Sequence, residues 1–266
     1  MATIVHISDI HFGRTSQRAQ WAAIRAIREA RPDLLVISGD LTQRAREQQY
    51  LAAKDFLNEL PQPQLVVPGN HDVPLYDIFR RLFRPTERFT RLITPDLSPV
   101  FRDDQLMVVG VNSTRAFTFD MGGFWKNGSL NNKQLACIAT QFAEAPLTLL
   151  RVLVVHHPLM NPWSERSRDT IRRRRRIISV LREARVDVVL SGHLHLSYIR
   201  RAIAVGKSHN PPPLCIQAGS AISTRLRGEP NSFNVLCWDG SLLTNRLMRY
   251  NGDAFVCETQ KEFHLH

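Results

Sequence analysis

The sequence predicts an α/β protein in which two β-sheets pack face to face with helices outside. Three observations lead there. The first half alternates short β-branched runs with amphipathic helical stretches, the βαβα order of a parallel sheet covered on both faces. From about residue 198 onward the pattern changes to strands and turns, with a two-residue hairpin signal at Asp239-Gly240. The chain has 266 residues, 43% hydrophobic and 22% charged, enough for a sizeable core without disulfide or metal staples. One domain over residues 1–266 is the expected organisation, with residues 75–95 as a candidate helical cap.

Each element follows from its local pattern. Residues 3–7 and 34–37 are continuous β-branched or leucine runs of buried-strand length, and 65–67 is a shorter one. Between them, residues 17–30 place Trp21, Ile24 and Ile27 on one helical face, and Pro32 forces a stop. A second helix is expected over 47–60. Residues 75–95 read as helical and rich in arginine (Arg80, Arg81, Arg84, Arg88 and Arg91). Strands at 106–111, 149–155 and 186–190 alternate with helices at 131–142 and 169–184. Strands at 198–205, 214–217, 233–238 and 242–250 close the chain, and these are expected to be mostly antiparallel.

Composition narrows the class. No apolar run approaches the length of a membrane span. The first residues lack the basic start and small-residue cleavage site of a signal peptide, so a cytoplasmic location is expected. Cys137, Cys215, Cys237 and Cys257 lack CxxC or CxxH spacing, which argues against a zinc finger, and each reads as a small buried residue. A net charge of +11 and a pI near 10.2 favour anionic partners such as phosphorylated substrates, acidic membranes or nucleic acid.

The chemistry lies in five short blocks, each just after a predicted strand. They are Asp9-Ile10-His11, Gly39-Asp40, Gly69-Asn70-His71-Asp72, His156-His157 and Gly192-His193-Leu194-His195. Loops at strand ends converge on one edge of an α/β sheet, so these side chains have a route to a common site. Asp, Asn and His supply oxygen and imidazole donors suited to manganese, iron or zinc, with no thiolate to suggest a structural zinc site. Gly39, Gly69 and Gly192 offer tight turns before the ligands, and the Asp40 carboxylate is suited to bridging two cations. Any one block is a common accident. Their joint occurrence, each after its own strand, is not.

In these five blocks the chain resembles the calcineurin-like metallophosphoesterase superfamily, whose pattern is DxH, GD, GNH(D/E), H and GHxH. The resemblance implies a four-layer α-β-β-α sandwich and two divalent metal ions. Asp9, His11 and His195 would hold one metal and Asn70, His156 and His193 the other, with Asp40 between them. A water made acidic by the metal pair would attack phosphorus in line. His71 would protonate the leaving group or stabilise its charge, with Asp72 orienting that imidazole. His157 reads either as a structural histidine or as a group behind the ligands or against substrate. His6 reads as core, and His209, His264 and His266 as solvated.

The wording around Gly39 to Thr42 and Gly69 to Asp72 is similar to that of bacterial class III cyclic nucleotide phosphodiesterases, which implies cyclic nucleotides as substrates. Superfamily relatives with the same blocks also cleave nucleotide-lipid pyrophosphates of the UDP-diacylglucosamine type and nucleic acids. Asn112, Ser113, Thr114 and Arg115 follow a strand and are candidates for the substrate side. Arg172, Arg173, Arg174, Arg175 and Arg176 form a run on a predicted helix whose inward face is Ile171, Ile178 and Leu181. That run is either a solvated outer face or a docking surface for an acidic membrane leaflet, as in a peripheral membrane hydrolase. Aromatic interleaving of the kind that stacks single-stranded bases is missing, which ranks nucleic acid third.

Overall fold

In a computed structural model that describes residues 1–115, 127–162 and 170–265, the two-sheet expectation takes a definite form. The first sheet is built on β1 (Ala2–Ile7), which pairs in parallel with β2 (Leu34–Ile37), itself parallel to β3 (Gln64–Val66). The second carries β4 (Val100–Arg102), β5 (Leu106–Gly110), β6 (Leu150–Val154), β7 (Val188–Ser191), β8 (Tyr198–Arg201) and β9 (Leu214–Gln217), in the order 4-5-6-7-9-8. The chain then returns to the first sheet. There β10 (Ser232–Trp238) lies antiparallel against β1, followed by β11 (Leu242–Tyr250) and β12 (Phe255–His264).

Period-two alternation separates the layers. Ile4, Leu34 and Val36 face Val108, Val152 and Leu190 across the space between the sheets. Val5, Ile7, Leu35 and Ile37 point the other way, onto α1 (Gln17–Ala30) and α2 (Glu47–Asn58). On the far side, Val109, Leu153 and Val155 meet α5 (Asn132–Ala143) and α6 (Arg174–Glu183). The layers therefore run helix, sheet, sheet, helix.

Several expectations are corrected. Trp21 is 61% exposed. The inward stripe of α1 follows the Ala19, Ala23, Ile27 row, and a residue two positions from Ala19 is turned about 200° away. Residues 75–95 form two short helices, α3 (Ile78–Phe83) and α4 (Glu87–Leu92), because Pro85 breaks the run between them. The strands after residue 198 are mostly antiparallel, as expected (β8 with β9, β10 with β1 and β11, β11 with β12), and β9 alone among them runs parallel to a neighbour, β7. β8 stops at Arg201, opposite Leu214, where its partner β9 begins. His264 belongs to β12 and not to a loop or tail, while Cys137 and Cys257 are exposed. Asp169 lies outside the described residues. The arginine run does not share one helical face either, since Arg172 and Arg173 precede α6 and Arg173 caps it in a left-handed conformation. Among the described residues no helix is long and apolar enough to cross a membrane.

Candidate metal centre

The five blocks leave the ends of β1, β2, β3, β6 and β7, so both sheets deliver side chains to one edge. The backbone there is unusual. Asp9, His11, Asp40, His193 and His195 all have positive φ, between 51° and 82°. Asp and His tolerate this region better than branched residues, but it costs free energy that surrounding structure must offset. The ligand residues themselves make the turns. Of the three glycines expected to do so, only Gly39 has positive φ, at 98°. Gly69 serves a different need, because a Cβ there would run into the Asp40 carboxylate.

Two clusters result. In the first, the Nε2 atoms of His11 and His195 lie 3.1 Å apart. Asp9 Oδ1 lies 3.7 Å from the former and 3.3 Å from the latter. In the second, Asn70 Oδ1 lies 2.8 Å from His193 Nδ1 and 3.1 Å from His156 Nε2. Asp40 Oδ2 stands between the clusters, 3.7 Å from His11 Nε2 and 3.4 Å from His156 Nε2. His157 joins the second group, with a ring nitrogen within 4.8 Å of the donor atoms of His156 and His193. Its Nδ1 meets Ser113 Oγ at 2.8 Å. Asn112 turns its amide oxygen onto the Thr114 backbone and hydroxyl. His6 is core, with its Nε2 2.9 Å from Ser38 Oγ.

These donor atoms fit cations by their own hydrogen bonding. His11 Nδ1 faces the Thr42 carbonyl, His195 Nδ1 the Arg225 carbonyl and His156 Nδ1 the Ser38 carbonyl. A carbonyl only accepts, so each ring donates from Nδ1 and turns Nε2 inward, the nitrogen that can bind a cation when it carries no proton. Lone pairs 3.1 Å apart repel unless a positive charge lies between them. Asp9 Oδ1 adds to the demand, being buried with no hydrogen-bond partner among the described residues. In the second cluster a proton can meet the demand. Burial alone would lower His156, but the Asp40 carboxylate outweighs it and pushes the imidazole up to about 9. Burial and the neighbouring His156 hold His193 down at about 3, so it is a neutral donor. Asp40 is held well below the usual carboxylate range: burial opposes ionisation, but the histidines around it prevail.

His71 lies beside the first cluster, its ring centroid 4.9 Å from that of His11. Its Nδ1 is 2.8 Å from the Gln43 carbonyl, and its Nε2 is 3.0 Å from Arg225 Nη1. Guanidinium can only donate, so His71 is neutral here and accepts at Nε2; burial is the largest influence lowering it. The expected contact between Asp72 and this ring is not made. Asp72 accepts from the backbone N–H groups of Leu41, Thr42 and Gly69 and from the Thr42 hydroxyl. It therefore clasps the Asp40 loop to the Asn70 loop. Burial and the Asp40 charge push it up to about 6, still ionised at neutral pH. An ionised carboxylate has more to gain from three backbone donors than from a ring already satisfied by Gln43. Arg225 carried no signal in the sequence, since it lies in a loop outside the five blocks and reaches His71 only through the fold.

Comparison with known proteins places this geometry. The family model for calcineurin-like phosphoesterase matches residues 2–197. The chain is 28% identical over 172 residues to the glycerophosphodiester phosphodiesterase GpdQ of Enterobacter lignolyticus, covering 59% of this chain and 57% of that one. It is 27% identical to the 3′,5′-cyclic adenosine monophosphate phosphodiesterase CpdA of Escherichia coli K12, over 72% of this chain and 69% of the relative. In fold it is similar to a dimetal phosphatase from Danio rerio, with a TM-score of 0.71 at 14% identity over 100% and 99% of the two chains.

Proposed function

This chain belongs to the calcineurin-like phosphoesterase family and is a hydrolytic phosphoesterase, and from that premise we propose a two-metal phosphodiesterase acting on nucleotide phosphodiesters, cyclic nucleotides foremost. The observation that carries this reading is the set of inward Nε2 atoms of His11, His195 and His156 around the shared Asp40 carboxylate. Asp9, His11 and His195 would hold one cation and Asn70, His156 and His193 the other, with Asp40 placed to serve both. The donors suit manganese or iron, and admit zinc. Bound there, the cations supply Lewis acidity, making a water more acidic and neutralising charge on phosphoryl oxygens.

The protein's own contribution is positional. The carbonyls of Thr42, Ser38 and Arg225 fix the ring tautomers before substrate arrives, so no reorganisation is needed later. His71, tied at Nδ1 to Gln43, can meet the leaving oxygen only through Nε2, the atom that Arg225 contacts in this structure. An anionic substrate is a stronger partner for a guanidinium than a neutral imidazole, so substrate draws Arg225 away and frees Nε2. The cyclic nucleotide assignment draws support from the likeness to the 3′,5′-cyclic adenosine monophosphate phosphodiesterase of Escherichia coli. A panel of cyclic nucleotides, a nucleotide-lipid diphosphate and single-stranded DNA, offered to manganese-loaded protein, tests it. Turnover of phosphomonoesters alone would overturn it.

One observation favours a second reading, a lipid-linked substrate met at a membrane surface. Residues 75–83 follow the Asn70 loop directly and expose Tyr76, Ile78, Phe79 and Phe83, the last two at 79% and 73%. Such a ridge on a basic protein suits the interface of an anionic leaflet. Sedimentation with acidic liposomes that is lost in Phe79→Ser/Phe83→Ser would favour it. Binding that instead requires Arg172, Arg173, Arg174, Arg175 and Arg176 would place the contact on α6 and the segment before it. No binding at all would remove the reading.

A further inference from the structure

Beside His71 the surface opens into a cleft of about 510 Å³ whose walls include Arg14, Arg44, Arg46 and Arg225, with Gln43 and Thr224. No carboxylate lines it. Among the described residues none of these four guanidinium groups pairs with an acid. Elsewhere on the surface Arg28, Arg80, Arg84, Arg91 and Arg249 do have carboxylate partners. Glu47, the chain neighbour of Arg46, pairs with Arg91 instead, at 2.8 Å. Gathering four like charges into one concavity is unfavourable until an anion enters it.

The cleft is joined to the reaction site through His71. Gln43 and Arg225, which contact the two nitrogens of that ring, are both part of its wall. The Arg225 carbonyl also meets His195 Nδ1 at 2.9 Å, so the same residue touches a candidate metal ligand, His71 and the cleft. Arg44 is steadied over the Tyr76 ring, its Cζ 5.5 Å from the centroid. The His71 Nε2 expected to meet the leaving oxygen contacts Arg225, so it stands beside the wall of this cleft. Planar guanidinium forks match phosphate oxygens in pairs, and a terminal phosphate carries roughly two negative charges at neutral pH.

We propose that this cleft binds a second phosphate, carried on the leaving group, so that among linear nucleotide diesters and anhydrides those with phosphate on both sides of the scissile bond are preferred. The inference rests on the phosphodiesterase reading above and extends it to linear substrates, since a cyclic mononucleotide brings only one phosphate and leaves the cleft unfilled. The test is calorimetric, on manganese-loaded protein, comparing adenosine 3′,5′-bisphosphate with 5′-AMP. The bisphosphate is expected to bind at least about tenfold more tightly, the scale of one charge-assisted contact. In Arg44→Ala/Arg46→Ala that preference falls to about twofold or less, with circular dichroism confirming the fold. Arg14→Ala, from a different loop, lowers it part of the way. Equal binding of the two ligands by the parent, or a preference that survives the double substitution, overturns the proposal. Failure of the nucleotide reading looks different: the loaded enzyme would cleave bis(p-nitrophenyl) phosphate and no nucleotide diester, while the calorimetric preference stood.

Discussion

The two halves of the centre are built to different charge. The first cluster sets Asp9 and a share of Asp40 against His11 and His195. The second has only its share of Asp40, with Asn70, His193 and, once it has lost its proton, His156 as uncharged ligands. Coulomb attraction at these distances is large in a buried site, so one carboxylate more or less decides how firmly each half holds a dication. The difference teaches a division of labour. The first half is suited to permanent occupancy. The second, with less anionic charge, leaves more of its cation's field for an anionic substrate.

The largest effect removes what the halves share. Asp40→Ala should empty both, with turnover falling by more than about 10⁴-fold, since the Lewis acid chemistry goes with the metals. Elemental analysis reads the metal content, and a variant retaining two equivalents would break the scheme. His71→Ala touches neither half. Metal content should stay at the parent level while kcat drops about 10²-fold or more, most steeply for esters with poor leaving groups.

Refilling chelator-stripped protein sharpens the comparison. Manganese should enter in two steps, the first at least about tenfold tighter. Asp9→Asn should erase the gap and His193→Ala widen it; a single step in the parent would mean that the halves are equivalent. The steps should also differ in pH dependence. His156, raised to about 9 by Asp40, is protonated below that pH in the metal-free protein and must lose its proton to become a ligand. Second-step affinity should therefore rise with pH until His156 has lost its proton, which a first cation beside Asp40 brings below 9, with one proton released on that step in a weakly buffered titration. Proton release on the first step alone would reverse the assignment.

The smallest effect lies behind both halves. Asp72→Ala should leave the N–H groups of Leu41, Thr42 and Gly69 unsatisfied and cost about 1–3 kcal/mol in urea unfolding. A midpoint unchanged from the parent would show that water replaces the clasp at no cost.

What the sequence disclosed follows from how far each signal reaches. The five blocks were legible because each joins a buried strand to residue types with no packing use there, and the fold layers were legible from strands of near-continuous apolar character. Asp72 was misread because adjacency to His71 in the chain says nothing about direction; consecutive residues of a tight turn point apart. Arg225 was invisible because it reaches the site from a loop after β9, and only tertiary structure brings it to His71. β12 was missed for a simpler reason. It is an edge strand exposed over most of its length, so its polar sequence carries no alternation.

The return of the chain to the first sheet has a consequence for how the protein is made. β10 pairs with β1, and the Arg225 carbonyl steadies His195, so residues from the first and last thirds complete one centre. A nascent chain emerging from the ribosome exposes Asp9 and His11 long before their partners exist. Contacts of such sequence separation form late and slowly. Metal capture would thereby wait on late folding, and a chain cut short before β10 would carry all seven candidate ligands without the framework that makes them a site.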